Sequence, residues 1–388
     1  MSATNTVLNA HSPAGFREQW ATRAVFLVAG LAMAAWAPLV PFAKARVGVE
    51  DGGLGLLLLC LGLGSILAMP ITGILANRFG CRAVIVGGSL AVALVLPLLA
   101  LVDTVPALAI TLALFGASVG TVDVAVNIQA VMVEKDSGRN MMSGFHGLFS
   151  LGGILGAGGL SLLIGAGISP LLATVTISVM LVVLLVFAFS GLLPYGNHEG
   201  GKTPLFVVPK GIVIFIGILC FLVFLGEGAI LDWSALFLIG THLVDPSQAG
   251  FGYTMFAIAM TVGRLTGDWI VKTLGGMIVV VGGGLLSAAG FLLAVYAPSQ
   301  PLAFAGFLLV GIGASNIVPV LFTAAGKQTR MPASLAIASI TTLGYAGILA
   351  GPAAIGFVAQ HWNLSTAFVL VAAGLIFVAV SWPFTARR

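Results

Sequence analysis

Three of the twelve carboxylates in this 388-residue chain, Asp123, Glu227 and Asp232, fall inside long apolar runs, and His146 is the one histidine so placed. An ionised group at the centre of a bilayer costs about 2.5–3.5 kcal/mol on insertion scales, so such residues line a cavity or pair with one another and mark a solute or proton pathway. Glu227 is the first choice for a proton-coupling residue. It lies about seventeen residues, roughly 25 Å of helix, from the start of its apolar run, where a carboxyl can take a proton from one face and release it to the other. Asp123 and Asp232 are further candidates for that task. Asp232 follows Glu227 by five positions, a rotation of about 140°, so one of the two faces a cavity and the other packs.

Polar neighbours accompany these acids. Asp123 and Asn127 are one helical turn apart and share a face, and His146 enters the next run at a similar depth. An Asp, Asn and His cluster can bind solute hydroxyls or relay protons, since His titrates near physiological pH. The alternative is an inter-helix hydrogen bond that fixes two spans together. Asn316, mid-run within Gly311–Asn316, is a further candidate for binding the solute. Trp36 and Trp233 offer aromatic walls to a sugar ring, a cyclitol or a cation, or serve as packing and interfacial anchors.

The elements that must hold these residues are membrane spans. With 59% hydrophobic and 7% charged residues and a mean hydropathy of +1.15, the chain lacks the charged surface of a soluble domain. Apolar runs predict twelve helices near 22–42, 53–76, 82–102, 106–132, 142–167, 170–192, 211–240, 249–271, 276–297, 301–326, 333–358 and 364–385. Continuous apolarity, without alternation, excludes barrel strands. Fourteen Lys and Arg, Arg78, Lys135 and Arg264 among them, then fall on or near one face and only Lys44 and Arg46 on the other. By the positive-inside rule both termini are cytoplasmic. The net charge of +4 is thus topological and implies no nucleic-acid partner. The first twenty residues lack a signal-peptide pattern. Cys60, Cys81 and Cys220 suit packing, and no metal or cofactor is expected.

The chain repeats itself. Thr72-Gly73 followed by Val86–Leu90 echoes Thr266-Gly267 followed by Val281–Leu285, and Gly153-Ile154-Leu155 echoes Gly347-Ile348-Leu349 at an offset of 194. Duplicated apolar halves are a secondary-transporter signature, with the site where the halves meet. The expected organisation is a six-helix bundle over 1–192, a breaker-rich cytoplasmic linker over 193–209, and a second bundle over 210–388. Gly196–Thr203 matches G-x-x-x-x-G-K-T, but no strand leads in and Pro204 follows, so it is read as a chance match.

After span two, Gly73, Asn77, Arg78, Gly80 and Arg82 spell G-x-x-x-N-R-x-G-x-R. This resembles the signature turn of the major facilitator superfamily, with Asn77 where the family usually has Asp, and Gly263–Asp268 carries a degraded copy. Gly144–Gly153 and Glu227–Ala235 are similar to the MosC-like branch. The resemblance implies an all-α fold of twelve helices in two pseudo-symmetric bundles, with spans one, four, seven and ten lining a cavity. The turn is expected to act as a conformational latch, with Glu134 pairing Arg78 or Arg82 and Arg264 pairing Asp268 one turn away. The alternative role for these charges is topological anchoring alone.

The expected function is secondary active transport of a small polar solute, a sugar or cyclitol, across the inner membrane by alternating access with proton coupling, in a monomer and without enzymatic activity. A multidrug antiporter and a non-transporting receptor or scaffold are the alternatives. A Gly and Pro pattern in span eleven instead of span five weighs against drug export.

Overall fold

A computed structural model describes residues 15–49, 51–196, 209–242, 244 and 251–385. The described residues form thirteen α-helices and a 3-10 turn, with no strand. In chain order the helices are α1 (Phe16–Ala34), α2 (Val40–Val47), α3 (Asp51–Phe79), α4 (Cys81–Leu99), α5 (Val105–Ser137), α6 (Met142–Gly165), α7 (Pro170–Phe189), α8 (Ile212–His242), α9 (Phe251–Tyr296), α10 (Gln300–Ala314), α11 (Ile317–Lys327), α12 (Ala333–His361) and α13 (Leu364–Thr385). Eleven stretches are long and apolar enough to cross a membrane. One of them, the 46-residue α9, is broken at Gly275 (φ 80°, ψ 150°), and dividing it there gives twelve passes, as the apolar runs predict.

Breakers set the boundaries and the bends. Span one is α1, the turn Ala37–Leu39 and α2, interrupted where Pro38 and Pro41 remove backbone donors. Span ten is divided into α10 and α11 at Ser315 and Asn316. Pro319 lies four residues after Ser315, so the Ser315 carbonyl has lost its helical N–H partner. That freed acceptor recurs at the functional site below.

The repeat is visible in the packing. Gly80 (φ 84°, ψ 157°) and Gly275 turn the chain in the same conformation between the second and third spans of each half. Such a positive φ is open to glycine at little cost. Gly116 of α5 presses against the Leu61 carbonyl of α3, and Gly311 of α10 against the Phe256 carbonyl of α9. Each member of the second pair lies 195 positions after its counterpart in the first. Without interhelical hydrophobic drive in lipid, such backbone contacts supply the dispersion energy that holds spans together.

Helices α1–α7 pack on one another, and α8–α13 do likewise. Between the groups, α3 meets α12, α6 meets α9, and α5 and α6 meet α11. The crossings include Gly73 against Ala338 and Ser334, Gly147 against Leu265, and Gly326 against Val131. These three lie toward the end of the bundle where α1 begins and α13 finishes, here called the closed end, while Gly62 meets Leu349 nearer the opposite end. The start of the expected linker is fastened to the first half: Leu193 donates to Gln129 Oε1 (3.1 Å) and Arg82 N to the Leu193 carbonyl (2.8 Å). The phosphate-loop look-alike at 197–203 lies outside the described residues. Trp20, Trp269 and Trp362 are exposed, where an aromatic belt meets the membrane interface, whereas Trp382 is buried in the second half.

Gly116→Ala would drive a methyl into the α3 backbone, whereas a methyl at Gly158 meets nothing. Gly116→Ala is expected to lose about 1–3 kcal/mol, read as a lowered melting temperature in detergent, with Gly158→Ala unchanged.

Candidate functional site

Arg264, on the α9 segment of span eight, is buried at mid-depth. A guanidinium cannot shed its charge, so the surrounding groups must satisfy it. Three elements do so. Its Nη2 faces both Glu227 oxygens of α8 at 3.3 and 3.4 Å, an ion pair whose side chains are 9% and 17% exposed. Its Nε donates to the Ser315 carbonyl that Pro319 leaves free (3.3 Å), and its Nη1 donates to Ser150 Oγ of α6 (3.1 Å). One side chain thus touches both halves of the chain.

From Ser150 a polar band continues into the first half. Ser150 Oγ donates back to the His146 carbonyl one turn earlier (3.2 Å). His146 Nε2 meets Asn127 Oδ1 at 3.1 Å, and the Asn127 amide donates to the Asp123 carbonyl oxygen (2.9 Å) and reaches Asp123 Oδ1 (3.5 Å). Phe26 and Phe322 flank the His146 ring at centroid distances of 5.4 and 5.6 Å. Tyr345 of α12 brings its hydroxyl into the neighbourhood of the Asp123 carboxyl from the opposite half. On its other side Asp123, with Ser89, supplies the polar lining of a small, water-sized pocket among α1, α4, α5, α6 and α7.

The Asp123, Asn127 and His146 cluster expected from spacing is therefore assembled. Because an amide stands between acid and imidazole, the cluster orients donors and acceptors and does not pass a proton along. Asp232 is exposed and apart from the Arg264 pair, as its rotation from Glu227 requires. Asn316 is buried, and its amide donates to the Gly263 carbonyl (2.9 Å) and Ser315 Oγ (3.0 Å), holding span ten on span eight, while its Oδ1 has no partner among the described residues. Trp36 is buried at the break in span one with its indole N–H unpartnered among the described residues. Trp233 packs toward Gly356 of α12. Trp233 is half-buried, and its indole N–H too has no partner among the described residues.

The latch is built differently from its sequence-based expectation. Arg264 pairs with Glu227 and not with Asp268, because a charge at that depth needs a counter-charge beside it and Asp268 lies a turn closer to the closed end. Asp268 Oδ1 instead accepts the Gly144 N–H of α6 (3.0 Å). Glu134 does not pair with Arg78 or Arg82: its Oε2 accepts the Met141 and Met142 N–H groups (both 2.8 Å), and its Oε1 accepts the Thr323 hydroxyl of α11 (2.5 Å). Two carboxylates thus occupy the N-terminus of α6, where unpaired N–H groups and the helix dipole favour anions. Asp268 joins it to the second half directly, and Glu134 joins it to α11.

The first-half turn is correspondingly quiet. Arg82 donates to the Leu192 carbonyl (2.9 and 2.6 Å) and Arg78 lies over Phe79 (5.2 Å), both within their own half. Asn77 is buried with its Oδ1 unpartnered among the described residues. Gly80 packs on the Pro194 carbonyl, and Gly73 alone of this turn meets the other half. Sequence reasoning missed Tyr345, Ser150 and Thr323. Pro319 was the one signal available, since it predicts an unpaired carbonyl at Ser315.

Comparison places this geometry. No family model matches the chain. It is 59% identical over 367 residues to an uncharacterized MFS-type transporter of Yersinia pestis, with 95% of each chain covered. It is 30% identical over 364 residues to the membrane protein MosC of Rhizobium meliloti, covering 94% of this chain and 89% of that one. Among solved structures, FucP, a transporter in the outward conformation, superposes with a TM-score of 0.79 at 17% identity, covering 95% of this chain and 98% of FucP. Fold and relatives define a multi-pass helical membrane transporter and not an enzyme. The chain belongs to the major facilitator superfamily.

Asp268→Asn removes a charge-assisted bond worth about 1.5–3 kcal/mol and is expected to loosen the closed end. In a chain with its native cysteines replaced, a cysteine at Val131 should react with an impermeant maleimide about tenfold faster in Asp268→Asn than without it. An unchanged rate would show that Asp268 does not hold the gate.

Proposed function

We propose that this chain carries a small polar solute across the inner membrane by alternating access, driven by protons, with both termini cytoplasmic and a single chain sufficient. The carrying observation is the polar band that runs from Glu227 through Arg264 and Ser150 to His146, Asn127, Asp123 and Tyr345. It crosses from one half to the other at mid-depth in an otherwise apolar bundle. Hydroxyl and amide groups there match a solute rich in hydroxyls, a sugar or cyclitol, more closely than an apolar drug. By the positive-inside pattern the closed end lies on the cytoplasmic side. One bundle would span 1–192 and the other 210–388, rocking about the α3–α12 and α6–α9 crossings.

Glu227 is the proton carrier in this scheme. It is the acid whose charge controls Arg264, and Arg264 is the residue that touches both halves, so neutralising Glu227 alters the tie between them. Asp123, with neutral donors around it, is the second proton candidate. Asp232, exposed and unpaired with Arg264, is the third. Support from relatives is of a general kind: FucP of E. coli is a fucose:proton symporter.

The test uses proteoliposomes loaded with a pH-sensitive dye and challenged with a panel of sugars, cyclitols and their derivatives. Wild-type protein should move protons with at least one solute, and Glu227→Gln should reduce that movement at least about tenfold. Equal proton movement in the variant would remove Glu227 from the mechanism.

A further inference from the structure

The way Glu227 holds Arg264 leaves room for a second anion. The pair uses one guanidinium nitrogen, Nη2, shared between both carboxylate oxygens at 3.3 and 3.4 Å, and not the parallel two-nitrogen fork that gives the tightest arginine–carboxylate geometry. Nη1 has its named bond to Ser150 Oγ and a second N–H with no partner among the described residues. Nε is fixed to a backbone carbonyl. Both side chains keep a little exposure, 9% and 17%, so the pair is not fully sealed in packing.

Charge balance then selects the ligand. With Glu227 ionised, the centre is neutral. With Glu227 protonated, Arg264 is a bare cation deep in the membrane, and an uncharged sugar cannot compensate it. A carboxylate can, bidentately. The other charged and titratable groups around Glu227 do not supply that charge. Tyr253 stands at the start of α9, Asp268 one turn beyond Arg264 is held by the Gly144 N–H, and Cys220 and Asp232 lie on the helix of Glu227. Tyr345 comes from α12 against Phe224. Helices α10 and α13 contain no ionisable side chain, and α11 has only Lys327 at its end. Asp123 is itself an acid.

From this we infer that Arg264 is the binding site for an anionic group on the solute, which replaces Glu227 as the guanidinium's partner. This rests on the transport reading above and narrows it: the solute is a hydroxylated carboxylic acid, its carboxylate on Arg264 and its hydroxyls on the Asn127, His146 and Asp123 side of the band. Proton and solute then enter together, since the proton on Glu227 vacates the place that the carboxylate takes.

The experiment measures thermal stabilisation of the purified full chain at neutral pH by lactate, gluconate and glucuronate, each beside its uncharged counterpart, propanediol, sorbitol or glucose. In Glu227→Gln the site is permanently vacated. At least one acid should bind that variant about tenfold or more tightly than wild type, and its neutral counterpart should not. The double variant Glu227→Gln/Arg264→Gln removes both charges, remains balanced, and should lose the binding. Neutral compounds binding as well as acids, retention in the double variant, or silence of every acid in Glu227→Gln would each overturn the inference. Dye-loaded proteoliposomes separate the two levels. Proton movement with neutral solutes alone would leave the transport reading standing without the anion site. Acids that bind Glu227→Gln but move no protons in wild type would leave the site standing without the transport reading.

Discussion

A permanent cation buried at mid-membrane depth must find every partner inside the protein, and the placement of Arg264 organises the rest of this structure. Its counter-charge comes from Glu227, 37 residues away in sequence. A backbone acceptor comes from Ser315, available because Pro319 interrupts the helical ladder. A third partner, Ser150, comes from the other half of the chain. The hold on Ser150 is a single hydrogen bond from the guanidinium to an uncharged hydroxyl, worth about 1.5–3 kcal/mol, so it can break as the halves move while the ion pair keeps the charge covered.

The closed end applies the same electrostatics at a helix terminus. The first N–H groups of α6 have no helical acceptors, and Glu134 and Asp268 fill that need from different elements. Because Asp268 belongs to the second half, satisfying the α6 terminus also pins the halves together. Family members with Asp at the position of Asn77 have a carboxylate in the first-half turn. Here that position is an amide whose oxygen has no partner among the described residues, and the carboxylate contacts between halves come from Glu134 at the end of α5 and from Asp268 of the second half. Close backbone crossings at Gly73 and Gly147 bring the helices near enough for these short contacts.

Much of this was legible in the sequence because it is local or periodic. Twelve apolar runs, the alternation of Lys and Arg, and the echo of Gly153–Leu155 in Gly347–Leu349 define the twinned helical architecture. The turn between Asp123 and Asn127 puts both on one face, and equal depth brings His146 to them. What was not legible depends on how helices distant in sequence are rotated against each other. Arg264 and Asp268 look like an intrahelical pair at i and i+4, worth only about 0.2–0.5 kcal/mol. Each finds a stronger tertiary partner, Arg264 a deep carboxylate and Asp268 a helix N-terminus. Glu134 and Thr323 are 189 positions apart, and no spacing rule connects them. Trp36, Trp233 and Asn316 sit on the cavity-lining spans of the family, but span membership does not fix which face a side chain occupies.

The central claim is that two half-bundles exchange closure between the ends of the molecule while one acid between them governs the exchange. Double electron–electron resonance on reconstituted protein tests it most directly, with one spin-label pair at the closed end, Arg139 and Lys327, and another at the opposite end, Leu101 and Tyr296. Replacing Glu227 by Gln should broaden both distance distributions in opposite directions, the closed-end pair lengthening as the other shortens. Distances that stay fixed at both ends, or that change in the same direction, would contradict the account.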